Sequence, residues 1–119
     1  MLFRSIAATL SWLTAMDRAA KAKGVPLVLF VIPPAMADPN YAEHWKAWPR
    51  FFSWNLVSDL RHDKLIAALR KTQMRFVDFR EDFVGVRGAY RLTDAHWTEK
   101  GVEIAADRVY RELKKLEKR

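Results

Sequence analysis

The sequence predicts an α/β fold, a partial three-layer arrangement in which a parallel sheet is flanked by helices and left incomplete. Three observations predict it. The run Leu27-Val-Leu-Phe-Val-Ile32 is unbroken, apolar and rich in β-branched residues, and Pro33-Pro34 ends it sharply. Such a run suits a strand buried on both faces. A second, shorter strand is expected over Met74–Phe79, where Met74, Phe76 and Asp78 alternate with Arg75, Val77 and Phe79. Helical periods precede, separate and follow these strands, an alternation that implies parallel strands joined by crossovers.

The first helix is read from Ile6, Leu10, Leu13 and Met16, which recur at helical spacing. It runs through Ala19 and Ala20 to Lys23, and Gly24 offers the positive φ of a helix C-cap. Its start faintly resembles a signal peptide, but Asp17 closes the run without a clear cleavage site, so an amphipathic helix is the preferred reading. Residues 35–54 carry no clear period; they hold the turn signal Asp38-Pro39-Asn40 and a cluster of Trp45, Trp48, Phe51, Phe52 and Trp54. A loop that long is usually functional or conceals a short helix.

Helical period returns from about Asn55 to Lys71, with Leu56, Leu60, Leu65, Ala68 and Leu69 on one side. Residues 80–92 read as loop, punctuated by Gly85 and Gly88. Thr98 is placed to cap a final helix whose expected buried stripe is Val102, Ala105, Val109, Leu113 and Leu116, with Glu99 favourable against the dipole.

A chain of 119 residues is at most one small domain. Half of it is hydrophobic and 13% is aromatic, ample material for a core. There is no cysteine, which excludes disulfides and thiolate metal sites. The formal charge of +7 invites a polyanion-binding reading. Much of the excess sits near the two ends, in Arg18, Lys21, Lys23, Lys114, Lys115, Lys118 and Arg119, and no run of five like charges occurs. A solvated surface is preferred, and neither a nucleic-acid partner nor a membrane span is expected. Two strands make a meagre sheet, so an apolar edge is expected to stay uncovered and to favour self-association.

The chemistry-bearing residues gather in Leu92-Thr93-Asp94-Ala95-His96-Trp97-Thr98. In open α/β sheets, ligands bind beyond the carboxyl ends of the strands, and this segment follows the second strand. A carboxylate two positions before an imidazole in a turn can fix its tautomer and stabilise the imidazolium. The bland alternative is a surface turn with a capping Asp. A metal held by Asp94, His96 and Asp78 or Asp82 is not expected, because His44 and His62 lie in unrelated segments. His44 is read as a loop residue and His62 as a solvent-facing helix residue. Trp45, Trp48, Arg50 and Trp54 are read either as a lid or sugar-stacking platform, or as packing. Asp78 either orients the loop carrying His96 or caps a turn. Arg80 and Arg87 are candidates for holding an acidic substrate, with a solvated-loop role preferred. Trp45, Trp48 and Arg87 are carried forward as candidate substrate-binding residues.

Asp94-x-His96-Trp97-Thr98-x-x-Gly101, followed by Ala105-Ala106, resembles the last conserved block of the SGNH (GDSL-type) hydrolases. It is closest to the Asp-x-His-Trp branch that includes alginate O-acetyltransferase-like proteins. The order of elements resembles the family over roughly residues 5–116, and the 92–101 block is the specific part. The resemblance implies a flavodoxin-like three-layer fold, with His96 as general base and Asp94 as its orienting partner. It also implies an acylated carbohydrate or small ester as substrate of the complete protein, no cofactor, and an extracytoplasmic parent.

The family's Gly-Asp-Ser nucleophile block has no match here. Ser5, Ser11, Ser53 and Ser58 are the serines, and none follows Gly-Asp. The glycine and Gly-x-Asn-Asp blocks that complete the oxyanion hole are missing as well. Residues 1–119 are therefore read as the C-terminal part of such a domain, inactive alone, with the serine expected upstream; in the permuted order of the alginate acetyltransferases it would lie beyond Arg119. The alternative is a non-catalytic carbohydrate- or polyanion-binding assembly module.

Overall fold

The computed structural model describes residues 2–118, with side chains from Ser5 onward; Arg119 of the expected basic tail lies outside the described residues. The elements are α1 (Leu2–Ala22), β1 (Val28–Val31), a 3₁₀ turn (Ala35–Ala37), α2 (Pro39–Trp45), α3 (Pro49–Arg70), β2 (Arg75–Asp78), α4 (Arg80–Phe83) and α5 (Glu99–Glu117). The chain is mixed α/β and mostly helical. β1 and β2 pair in parallel, Val28 opposite Arg75 through Val31 opposite Asp78, and α3 connects them. This is a partial SGNH-like fold whose sheet is incomplete. No described helix is long and apolar enough to cross a membrane.

The helix ends follow the sequence signals. Gly24 has φ 66°, and the amide of Val25 donates to Ala20 O at 2.9 Å, closing α1. Thr98 caps α5, its hydroxyl accepting from Gly101 N at 3.3 Å and donating to Gly88 O at 2.6 Å. Gly101 is buried, and a β-carbon built there would overlap the Ala89 carbonyl oxygen and stand 3.0 Å from Trp97 Cβ. The glycine of the Thr98-x-x-Gly101 spacing is thus a contact requirement, letting α5 pack directly on the strand-like segment before the turn.

Residues 35–54 are not a loop. Proline stands in the first turn of both α2 and α3, where its missing N–H costs nothing and its fixed φ favours a helix start. Asp38 caps α2 through Asn40 N at 2.9 Å. The helical period there is hidden because Trp45, Trp48 and Phe51 pack on one another, with ring centroids 4.3–5.4 Å apart, instead of lying along a core-facing stripe. His44 accordingly belongs to α2.

α3 turns inward a face that overlaps the expected one only at its C-terminal end, where Leu69 is buried. Leu56 and Leu60 are 50% and 48% exposed, whereas His62, Ile66 and Leu69 are buried. Positions 62, 66 and 69 share one helical face, so His62 is a core-facing residue and not a solvated one. The 80–92 segment likewise contains α4, whose Phe83 is fully buried.

The core is one cluster at the carboxyl end of the sheet, made by Ala35, Tyr41, Val77, Phe79, Phe83, Ala89, Tyr90 and Ala105. Phe83 stacks on Trp97 at 5.4 Å and 8°. Arg108 ties α5 to α4, bonding Asp82 at 2.8 Å and Glu81 at 3.0 Å while also holding Glu112 at 3.0 Å.

β1 is only half-buried along its length, against the expectation of burial on both faces. Of the α5 stripe, Ala105 is buried, while Val102 and Leu113 remain 52% and 48% exposed. These residues join Phe30, Ile32 and Tyr110 in an open apolar groove beside the sheet. The radius of gyration, 15.9 Å, exceeds the roughly 13.5 Å of a closed domain of this length.

Two outcomes follow. Gly101→Ala is expected to cost about 1–3 kcal/mol by forcing α5 off the Ala89 backbone, read as a lower urea midpoint, whereas the exposed Glu103→Ala leaves it within about 0.5 kcal/mol. The apolar groove is expected to drive concentration-dependent association in sedimentation velocity; a monomer across the whole concentration range would contradict this.

Candidate functional site

The Asp94–His96 turn is built as the tip of a short antiparallel excursion. Tyr90 and Trp97 form a β-bridge, Arg91 N donates to His96 O at 2.8 Å, and Thr98 N donates to Ala89 O at 2.9 Å. Closing the turn puts Ala95 at φ 59°, the left-handed region that a non-glycine residue enters at a cost. Asp94 Oδ1 accepts from His96 N at 3.1 Å and lies 3.5 Å from His96 Nδ1, with Arg91 Nη1 3.8 Å from Oδ2. The His96 amide, more than the His96 ring or Arg91, holds the Asp94 carboxyl below its ordinary range. The two side chains are 45% and 81% exposed.

Beneath the turn lies a cavity of about 520 Å³ at the carboxyl end of β1. Val31, Ile32, Pro33, Pro34 and Ala35 form one wall, and Ala95, Tyr90 and His62 contribute to others. Ala95, the residue between the two candidate catalytic residues, lines this cavity, whereas Asp94 and His96 do not.

Three contacts hold this edge of the cavity. The Asp38 carboxylate, fully buried, accepts from Gly88 N at 3.2 Å and Tyr90 N at 3.1 Å. The Tyr90 hydroxyl donates to Pro33 O at 2.7 Å, tying the segment to the end of β1. Trp45 Nε1 donates to Leu92 O at 2.8 Å, joining the aromatic cluster to the turn. Trp45 thus reaches the site as a brace. Trp48 packs beside it at 5.4 Å and is 52% exposed. Arg87 is engaged with Glu43 at 2.9 Å and Asn40 at 2.8 Å, so its charge is met within the chain.

A second His–Asp pair was not foreseen from the sequence. His62 Nε2 lies 2.9 Å from Asp78 Oδ1, and Asp78 also accepts from Arg80 N at 3.0 Å, Nε at 3.0 Å and Nη2 at 2.9 Å. Arg80 in turn bonds Asp63. Asp78 caps its own turn and holds His62; among the described residues its side-chain hydrogen bonds go to His62 and Arg80 and none goes to the His96 loop. Asp82 is taken up by Arg108, and no described group of three or more His, Asp or Glu is arranged to hold a metal.

Comparison with known proteins decides the family. The family model for ALGX, the SGNH hydrolase-like domain of acetyltransferase AlgX, matches residues 2–119. The chain belongs to the AlgX family. No curated protein and no solved structure matches it. Within this AlgX-family domain, the sequence signal for Asp38 was present but misread. An Asp directly before a Pro marks a helix N-cap with Pro at the first position, as well as a turn. The signal for His62 was its spacing from Ile66 and Leu69.

Burial acts to raise the Asp78 carboxyl, but hydrogen bonds from the Arg80 side chain and backbone, then from His62, outweigh it and hold it below the ordinary range. Its folded pKa is thus below its unfolded value of about 3.9, so the unfolded chain binds more protons in that window. The stability Asp78 contributes is full above about pH 4 and is lost as pH falls through the folded pKa. In urea melts over pH 2–6, Asp78→Asn is expected to be less stable near pH 6 and to converge on the wild type in acid. Parallel curves would contradict this.

Proposed function

We propose that this AlgX-family domain carries the Asp/His half of an SGNH-type O-acyl transfer site and does no chemistry alone. The observation that carries the reading is Asp94 Oδ1 at 3.5 Å from His96 Nδ1 on a turn whose middle residue lines the cavity at the carboxyl end of β1. With Nδ1 facing the carboxylate, His96 Nε2 is the nitrogen available to a hydroxyl. In the complete site a serine gives its proton to Nε2 while its oxygen attacks the acyl carbonyl carbon. The departing alcohol takes that proton. A sugar hydroxyl or water then surrenders its proton to His96 as its oxygen bonds the acyl carbon, and the serine oxygen leaves and recovers that proton. Match to an acetyltransferase domain favours acetyl as that group and a carbohydrate as the acyl-bearing partner. It also weighs toward the permuted order, in which the serine follows the Asp/His block, over the upstream position expected first. Trp48, exposed beside the brace residue Trp45, is a candidate stacking face for the sugar, and Arg87 shapes that side through Glu43.

A second reading has one observation in its favour. Trp48, Phe51 and Trp54 line an open, largely apolar cleft that needs no catalytic residue to hold a sugar ring. On this reading the chain is a carbohydrate-binding module.

The deciding experiment is p-nitrophenyl acetate hydrolysis by the protein encoded by the complete reading frame. His96→Ala and Asp94→Asn are each expected to lower kcat/KM by about 10³-fold or more with unchanged unfolding midpoints. Full activity in both variants overturns the acyl-transfer reading. The 119 residues alone are expected to give no rate above background, and a rate abolished by His96→Ala would contradict the missing nucleophile.

A further inference from the structure

α5 carries a second apolar stripe beside the one that meets the core. Val102, Ala106, Val109 and Leu113 follow one another at spacings of four, three and four residues. That alternation is the seam spacing of a helix that packs lengthwise on another helix. Ala105 faces inward and is buried, whereas Val102 is 52% exposed, Leu113 is 48% exposed and Ala106 is exposed as well. The stripe forms one wall of the open groove that Phe30 and Ile32 line from the sheet. Charge is segregated along the same helix. From Glu99 to Asp107 it holds three carboxylates and one lysine, and from Arg108 to Glu117 it holds four cations and two carboxylates. Glu103 has no ion pair among the described residues. Lys114 pairs with the exposed Glu117 at 3.0 Å on its own last turn, a surface contact that is worth little and is easily exchanged.

We propose that this face is an interface between two copies of the chain, with α5 packed antiparallel on α5 about a twofold axis. In that register Val102 meets Leu113 of the second copy, and the small Ala106 admits Val109. The acidic first half of each helix then lies along the basic second half of the other, with Glu103 near Lys114 of the second copy. The helix dipoles oppose in the same sense, whereas a parallel pair would set like charges side by side. A foreign partner would have to bring the same stripe and the reversed order of charge; a second copy has both, as a self-complementary twofold interface requires. A helix of 19 residues spans about 28 Å. The two Asp94–His96 turns therefore stand at opposite ends of the pair, and neither chain completes the other's turn. The dimer forms whether or not the domain takes part in acyl transfer.

The test uses the 119-residue chain, whose lack of cysteine makes single cysteines clean reporters. Sedimentation equilibrium is expected to show a closed monomer–dimer equilibrium. Mixed Ala106→Cys and Val109→Cys chains are expected to join by a disulfide on oxidation, well ahead of a mixture of Ala106→Cys and Arg70→Cys. Glu103→Lys and Lys114→Glu are each expected to raise the dimer dissociation constant about 3-fold or more at low salt, and the double variant to return within about 2-fold of the wild type. Leu113→Asp is expected to raise it about 100-fold with an unchanged circular dichroism spectrum. No recovery in the double variant would overturn the antiparallel register. Association that survives Leu113→Asp, or that cross-links through Leu29→Cys on β1 and not through α5, would assign the contact to the sheet edge and overturn the proposal. A monomer at every concentration would do the same.

Discussion

One buried carboxylate organises the functional end of this domain. Asp38 has no solvent exposure, and its oxygens accept from Asn40, Gly88 and Tyr90, the last two from a segment fifty residues further along the chain. A buried charge is tolerable only when fully hydrogen-bonded, and here the donors are backbone amides that have no sheet partner to satisfy them. The same contact thus starts α2, satisfies the amides of the 88–90 segment, and sets the height at which that segment crosses the end of β1. Tyr90, fixed by its amide to Asp38 and by its hydroxyl to Pro33, then launches the turn that bears Asp94 and His96.

The domain holds two His–Asp pairs of contrasting build. His62 and Asp78 are buried, at hydrogen-bond distance, and backed by Arg80. Asp94 and His96 are exposed, a longer 3.5 Å apart, and anchored through the backbone amide of His96. An exposed pair is stabilised little by its own attraction, so the energy that fixes its position comes from the frame beneath it. That frame is Trp45 on Leu92, Thr98 on Gly88, and the close approach of Gly101 to Ala89. The turn is thus fixed at several points from below, and the imidazole is left open to solvent.

Much of the fold was legible in local signals. The two strands, the Gly24 cap, the Thr98 cap and the parallel α/β order follow from runs and punctuation that act within a few residues. What escaped was set by long-range packing. The 35–54 region looked irregular because its aromatic residues pack on one another and on Leu92, which erases the periodicity that a core-facing helix displays. The inner face of α3 was only partly foreseen: Leu69 is buried as expected, but Leu56 and Leu60 stay half-exposed, while His62 is drawn in by a carboxylate sixteen residues away. Of the candidate site, Asp94, His96 and the capping Thr98 were visible as a motif. The N-cap role of Asp38 had a local signal, but its hold on the 88–90 segment and the tie from Tyr90 to Pro33 did not, since nothing in their neighbourhood announces a partner so far along the chain.

The account stands on Asp38 as the anchor of the rim, and amide hydrogen exchange measures that directly. In the native protein the amides of Gly88 and Tyr90 should be protected. In Asp38→Asn their protection should fall sharply, together with that of Arg91, whose amide closes the Asp94–His96 turn, while amides in the middle of α5 keep theirs. Unchanged protection at Tyr90 in that variant would show that the rim is held by something else, and the link from buried carboxylate to presented imidazole would fail.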